Sequence, residues 1–255
     1  MRPRSHAAGR KEARSMVWFV ILLSAVGGGF IQAVTGFGAA VVMMLVAPHF
    51  FSMLQAPALT SAIALGLSAG LSWQLRKEVD VKKTLPLAAV YAVVSTTTIA
   101  LAKTLDLELL AVVFGVFLIG LSIYYLLLSD AVSLRPGPWT GMVFALAAGV
   151  CGGLFSIGGP LLSIYFLAMF PSKRSYLANL QTLFVFTNLI NTATRIYCGI
   201  YTWALVPLTL VGIVGVNVGK GIGLRILDRI DIRWMKRMVY IFIGISGVLT
   251  LIDHI

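Results

Sequence analysis

The chain has 255 residues, of which 59% are hydrophobic and only 11% are charged, and its mean hydropathy of +0.95 excludes a soluble globular domain. Its apolar runs are long enough to cross a hydrocarbon core of roughly 30 Å, and they are continuous rather than alternating, which excludes a transmembrane β-barrel. The net charge of +11 would suggest nucleic-acid binding in a soluble protein. Here Lys and Arg lie between the apolar runs, the pattern that orients membrane segments, so we expect no nucleic-acid partner.

The chain opens with a polar, basic tail over residues 1–15, followed directly by an apolar run. No A-x-A-like cleavage site follows that run, so we expect an uncleaved tail rather than a signal peptide or a separate soluble domain. The fold class that the pattern predicts is all-α, a polytopic integral membrane protein. Ten apolar segments are predicted as helices: 16–34, 36–53, 57–75, 84–103, 107–128, 139–155, 158–170, 176–197, 203–224 and 234–253.

The predicted segments form two related halves, 16–128 and 139–255, which are joined by a polar connection at 129–138. Leu85-Pro86-Leu87 corresponds to Val206-Pro207-Leu208, and Ile119-Gly120-Leu121-Ser122 corresponds to Ile243-Gly244-Ile245-Ser246. Two further blocks keep nearly the same offset, which favours an internal duplication of the kind found in many transporters. Similar apolar composition throughout the chain is the alternative explanation.

A glycine-rich break interrupts the apolar sequence in each half, at 27–38 and at 152–160. Glycine allows a helix to stop and another to start, and Pro160 suits the first turn of the new helix. We expect Thr35 and Ser156 to cap the free N–H groups there. Because a helix start attracts negative charge, the two breaks predict a buried anion site. Segment 158–170 is too short to cross the core alone, so each half is expected to contain a broken or hairpin-like helix.

Three basic clusters test the orientation of the chain, and they begin at Arg76, Lys173 and Arg225. In the first scheme, the two segments that flank each break are counted as two passes in opposite directions. Each half then has five passes, so the halves are inverted and all three clusters face the cytoplasm. That scheme places the basic tail outside. Eight simple crossings would keep the tail inside but would move the second and third clusters outside. Three loops outweigh one tail, so we prefer the scheme with inverted halves, with eight crossings as the alternative.

Segment 176–197 carries an unusual number of polar side chains for a membrane helix. Asn188, Asn191 and Arg195 are spaced to share one face, and Gln181 lies about two turns earlier near that face. Such a stripe suits a hydrophilic pathway, although it could equally bind neighbouring helices together. Arg195 is expected either to bind an oxyanion or to reach the membrane surface with its charged end.

No enzyme motif is present: the sequence contains no H-E-x-x-H, no G-x-S-x-G and no P-loop. Cys151 and Cys198 match no metal or redox spacing. We therefore expect no catalytic residue, no metal site and no cofactor.

Several motifs together resemble the sulfite exporter TauE/SafE family, also described as the toluene sulfonate uptake permease group. They are the split G-x-G-G-P motif, the run Ala58-Leu59-Thr60-Ser61, and the spacing Gly215-x-x-x-Gly219-x-x-x-Gly223 followed by a basic loop. The resemblance extends over residues 16–253. It departs at Gly38-Ala39-Ala40, which stands where the family has G-G-x-P. The resemblance implies secondary transport of sulfite or organosulfonate anions.

These observations lead to a functional prediction: a multi-pass transporter of the bacterial inner membrane that moves a small anion, most simply outward. An anion channel and a non-transporting scaffold or assembly subunit are the alternatives. The expected partners are the anion and the lipid bilayer, and a homodimer is allowed. The residues predicted to bind substrate are Gln32, Thr35, Gly36, Phe37, Gly38, Ser156, Gly158, Gly159, Pro160, Gln181, Asn188, Asn191 and Arg195.

Overall fold

The structure is a computed structural model that describes residues 4–128, 135–170, 172–226 and 232–254. The secondary structure of these residues is helical, and no β-strand occurs among them. The helices are α1 (Arg4–Thr35), α2 (Ala39–Met44), α3 (Gln55–Gln74), α4 (Val81–Ala102), α5 (Leu107–Ile123), α6 (Pro138–Phe155), α7 (Gly159–Met169), α8 (Lys173–Tyr197), α9 (Val206–Ile226) and α10 (Ile232–His254).

Six helices are long and apolar enough to cross a membrane, judged by length and composition, and they confirm the predicted class of helical membrane protein. These spans are Ser15–Thr35, Gln55–Gln74, Val81–Ala102, Leu107–Leu127, Pro138–Phe155 and Trp203–Arg225. Helix α8 is longer than most of them, but its polar residues keep it outside this group. Gln181, Asn191 and Arg195 on α8 are nevertheless buried, so the polar face of α8 points into the bundle, whereas Phe186 and Leu189 on its opposite face are exposed.

Both glycine breaks interrupt a helix and reverse the chain. Helix α2 folds back along α1, where Ala39 lies beside Gly28, and α7 folds back along α6, where the Tyr165 hydroxyl donates to the Gly137 carbonyl. Helices α2 and α7 are both too short to cross the membrane alone. Each break therefore belongs to a helical hairpin, α1–α2 or α6–α7.

The bundle contains two sets of parallel helices that run in opposite directions. In the first set, α3 runs parallel to α9, because Ile63 lies beside Gly212 and Gly70 beside Lys220. Helix α1 is also parallel to α9. Leu22 on α1 lies beside Gly215 on α9, and Ala33, further along α1, lies beside Gly223, further along α9.

The second set consists of α4, α6 and α8. Asn179 at the start of α8 accepts from Thr84 at the start of α4, and Lys103 just past α4 donates to the Cys198 carbonyl at the end of α8. Helix α6 follows α4 in the same sense, with Gly141 beside Leu87 and Gly153 beside Thr98. The two sets are antiparallel, because Ser72 late in α3 bonds to Thr182 early in α8.

The packing of the two halves follows one scheme. Helix α1 packs on α9 as its counterpart α6 packs on α4, and α3 packs on α9 as α8 packs on α4. The contacts above show that α1, α3 and α9 run opposite to their respective counterparts α6, α8 and α4. These relations support the prediction that the two halves are inverted repeats. The repeat relationship itself stays a prediction.

The described members of the three basic clusters share one end of the bundle. Asn179, a few residues after Lys173, donates to the Glu78 carbonyl next to the first cluster. The parallel course of α3 and α9 brings Arg225 to the same end as Arg76. We call this the basic end and the opposite end the far end; Arg229, predicted in the third cluster, lies outside the described residues.

Candidate functional site

The two glycine breaks meet at a small cavity near the midpoints of α3, α4 and α8. Its volume is about 30 Å³, which is room for one or two water molecules. The lining residues are Gln32, Phe37, Gly38, Ala40, Val41, Ala64, Tyr91, Ser156, Ile157, Gly158, Gly159, Pro160, Phe184, Thr187 and Asn188. No lining residue carries a formal charge, so any charged substrate depends on neutral donors and helix dipoles.

The first break depends on two glycines with backbone angles that other residues rarely adopt. Gly36 has φ +91° and Gly38 has φ +125°, so the chain leaves α1 and enters α2 within three residues. The last carbonyl groups of α1 are exposed by this reversal and need donors. Helix α8 supplies them: the Tyr176 hydroxyl donates to the Thr35 carbonyl at 3.0 Å, and Gln181 Nε2 donates to the Gly36 carbonyl at 2.6 Å.

Gln32 connects the first break to α3 and α8. Its Nε2 donates to Gln181 Oε1 at 3.0 Å and to Ser68 Oγ at 3.3 Å, while its Oε1 accepts from the Ala39 backbone N–H at 3.2 Å. Gln32 therefore caps the first N–H of α2. Thr35 Oγ1 accepts from the Phe37 N–H at 3.4 Å, so it caps an N–H group within the break, as predicted, but not the start of α2. It also lies within hydrogen-bond distance of the Ile31 and Phe37 carbonyls, because it sits in the last turn of α1.

The second break contains Ser156 in the left-handed region, with φ 60°. Its hydroxyl donates to the Pro57 carbonyl of α3 at 2.8 Å and caps no N–H group, so the predicted capping role of Ser156 is wrong. The reason is positional: Ser156 ends α6, whereas Gly158 holds the N-cap position of α7. Pro160 occupies the first turn of α7, as the sequence predicted.

Arg195 supports the second break from the last turn of α8. Only 2% of its surface is exposed, so it does not extend to the membrane surface. Its guanidinium donates to the Gly153 carbonyl at 2.7 Å, the Gly152 carbonyl at 3.4 Å and Ser61 Oγ at 3.3 Å. Those carbonyls belong to the last turn of α6, where the helix dipole is negative. The buried positive charge is thus stabilised by a helix end.

Asn191 and Tyr91 lie between this support and the cavity. Asn191 Nδ2 is 3.4 Å from the Tyr91 hydroxyl and 3.5 Å from the Gly152 carbonyl, and its Oδ1 has no hydrogen-bond partner. Tyr91 lines the cavity and is packed so closely against Gly152 and Gly158 that neither position has space for a side chain. This contact fixes the second break against α4.

Asn188 and the start of α7 are the groups best placed to receive a ligand. The half-buried Asn188 side chain lines the cavity and forms no hydrogen bond within the described structure. Helix α7 begins at Gly159 without a side-chain cap, and its first turn also lines the cavity. An amide donor and a helix start together form a neutral site suited to an oxyanion.

The structure divides the predicted site residues into two groups, without testing whether any of them binds substrate. Those that line the cavity are Gln32, Phe37, Gly38, Ser156, Gly158, Gly159, Pro160 and Asn188. Those that support the breaks from outside it are Thr35, Gly36, Gln181, Asn191 and Arg195. The sequence analysis missed Tyr91 and Thr187; Tyr91 is a hydroxyl-bearing residue at the centre of a predicted segment, which was an available signal. No group of potential metal ligands occurs in the part of the chain that was searched.

Comparison with known proteins identifies the family. No curated protein and no solved structure matches the chain. Residues 20–250 match the family profile described as Sulfite exporter TauE/SafE, which covers nearly the whole chain. Members of this family are membrane transporters rather than enzymes. The chain, whose glycine motifs already resembled those of this family, therefore belongs to the sulfite exporter TauE/SafE family.

Proposed function

We propose that this transporter exports sulfite or a small organosulfonate through the cavity between the two breaks. The observation that carries the proposal is the meeting of both breaks around one buried space in which Asn188 has an unused amide. Desolvating an anion is costly, so several donors must converge on it. Asn188, the Tyr91 and Thr187 hydroxyls and the first turn of α7 converge there.

Two sets of contacts close the cavity toward opposite ends of the bundle. Toward the basic end, Tyr176 and Gln181 hold the first break; we call these contacts the basic-end seal. Toward the far end, Ser156 bonds to Pro57 and Arg195 holds the second break; these contacts form the far-end seal. The cavity is too small for sulfite while both seals are closed. In the proposed cycle one seal opens at a time, which favours a transporter over a continuous channel.

The membrane potential supports the proposed direction. An interior-negative potential drives each negative charge outward with about 2.3 kcal/mol per 100 mV. Export therefore requires no coupled ion. Uptake would require one, and no Asp or Glu lines the cavity to carry a proton.

Uptake of labelled sulfite into proteoliposomes with an imposed potential tests the proposal. Asn188→Leu keeps the branched shape of the side chain but replaces the amide oxygen and nitrogen with methyl groups, and we expect it to lower flux by about tenfold or more. Leu189→Ala changes the adjacent residue, whose side chain is 52% exposed on the outer surface of α8, and should leave flux unchanged.

The same assay separates the alternatives. Flux that saturates with sulfite and falls in Asn188→Leu supports the proposed site, whereas flux that never saturates indicates a channel. Saturable flux that Asn188→Leu leaves unchanged would place the substrate elsewhere. If a correctly folded protein moves neither sulfite nor sulfonates, the proposed substrate class is wrong.

A further inference from the structure

A second and larger cavity lies between α4, α6 and α7, away from the two breaks. Its volume is about 520 Å³, within the range of ligand pockets. Lys83 near the start of α4, Pro138 at the start of α6 and Met169 at the end of α7 line it. The cavity is therefore a groove on the side of the bundle, close to the basic end.

The walls of the groove are apolar and its opening is basic. Leu87, Val90 and Met142 form part of the walls. At the opening, the Lys83 side chain is 52% exposed; its Nζ lies 3.3 Å from Asp80 Oδ2 and 5.7 Å from the centre of the Phe170 ring. Asp80 is the acidic residue paired there.

Two further features add positive potential at the opening. Arg135 is exposed and directly precedes Pro136, which lines the groove. Helix α6 begins at Pro138 with no side-chain cap on its first turn, so the N–H groups that follow are free to meet an anion. These groups complement a phosphate more closely than a neutral headgroup.

The position of the groove points to a lipid as its occupant. Helices α4 and α6 are both membrane-spanning candidates. Trp139, beside Pro138, is 79% exposed, as is usual for tryptophan at the level of lipid headgroups. The apolar groove matches a lipid acyl chain, and the basic opening, at the level of the headgroups, matches the phosphate of the same lipid.

We propose that this groove binds an anionic glycerophospholipid from the leaflet at the basic end, with its phosphate at Lys83 and one acyl chain against Leu87, Val90 and Met142. The bound lipid would hold the α6–α7 hairpin against α4. The significance of holding this hairpin in place rests on the proposed transport function. The binding of the lipid to the groove does not.

Native mass spectrometry of the delipidated full-length protein tests the proposal, with phosphatidylglycerol and phosphatidylcholine of identical acyl chains. We expect the wild-type protein to bind phosphatidylglycerol about fivefold more tightly. Lys83→Gln should abolish this preference, whereas Lys82→Gln, which alters an exposed neighbour that does not line the groove, should retain it.

A second pair of variants tests the acyl-chain position. Met142→Trp fills the groove and should weaken binding of both lipids, whereas Val143→Trp, at the next and more exposed position of α6, should not. Equal binding of the two lipids by wild-type protein, or an intact preference in Lys83→Gln, would overturn the proposal. Displacement of the lipid by soluble glycerol phosphate would show instead that the opening binds free phosphate. Unchanged thermal unfolding shows that each variant is folded.

Discussion

A helix that ends inside a bilayer leaves carbonyl groups that lipid cannot satisfy. In this protein one helix, α8, supplies donors to both breaks. Tyr176 and Gln181 bond to the first, and Asn191 and Arg195 to the second. This shared task explains why the face of α8 that points into the bundle is polar.

Arg195 gives the clearest prediction at this scale. Arg195→Lys keeps the charge, but one ammonium group cannot reproduce the geometry by which the guanidinium reaches Gly152, Gly153 and Ser61. Leaving a buried carbonyl unsatisfied costs about 1–3 kcal/mol. We therefore expect Arg195→Lys to lower the thermal unfolding midpoint by about 4–8 °C in detergent.

The matched control is Arg174→Lys, which makes the same chemical change at an exposed position in the first turn of α8. It should leave the unfolding midpoint unchanged. If Arg195→Lys unfolds like the wild type but raises the KM for sulfite, Arg195 contacts the substrate and the support role assigned here is wrong.

The sequence predicted which residues form the polar face of α8 and where the chain breaks, but not which groups pair. Thr35 and Ser156 have the right chemistry for caps, yet Thr35 accepts from the Phe37 N–H within the break and Ser156 donates to the Pro57 carbonyl on α3, so neither caps a new helix. Gln32 became the cap of α2 because the hairpin brings it back to Ala39. Pairing between helices depends on their packing, which local spacing does not encode.

At the scale of the helices, the closest packing joins α1 and α9. Gly215, Gly219 and Gly223 place the backbone of α9 directly against α1, and the G-x-x-x-G spacing is typical of such close packing. Since lipid gives little hydrophobic drive for helix association, close backbone contact supplies much of the attraction. The same contact holds the first hairpin, through α1, beside α9.

Gly219 provides a test of this interface. A Cβ atom at Gly219 would lie 1.9 Å from the Val26 carbonyl oxygen and 2.8 Å from the Phe30 nitrogen, so Gly219→Ala must push the helices apart. Such overpacking costs about 1–3 kcal/mol, and we expect a fall of roughly 5 °C in the unfolding midpoint.

Gly221 is a control on the same helix, since a Cβ atom there has no neighbour within 4 Å. Gly221→Ala should leave the midpoint unchanged or raise it slightly, because alanine favours the helix. If both variants unfold alike, α1 and α9 do not depend on glycine for their contact.

Hydropathy predicted the positions of most helices within a few residues. It failed where an apolar segment is not one continuous helix and where a helix begins in polar sequence. Segment 36–53 was predicted as one apolar segment, yet it contains only the short α2 and a 3₁₀ turn at Ala47–His49, where Pro48 cannot continue a helix. Helix α1 begins at Arg4, well before the predicted residue 16, because Ala, Lys, Arg and Glu form helix without being apolar.

At the scale of the whole molecule, the directions of the helices fix which ends share a side of the membrane. Helix α1 runs parallel to α9, so Met16 lies toward the far end, where α9 begins near Trp203. Lys77 lies at the basic end with the other loop cations. The positive-inside rule assigns the basic end to the cytoplasm, and the structure then requires Met16 to be outside, despite the basic residues that precede it.

Labelling with a membrane-impermeant maleimide in intact cells tests this arrangement, using single cysteines in a background of Cys151→Ala and Cys198→Ala. We expect Met16→Cys and Trp203→Cys to react directly, because both side chains are exposed at the far end. Lys77→Cys should react only after the membrane is permeabilised. Reaction of Met16→Cys on the same side as Lys77→Cys would require α1 and α9 to be antiparallel. It would contradict the glycine contacts between them and, with those contacts, the position of the first break beside the cavity.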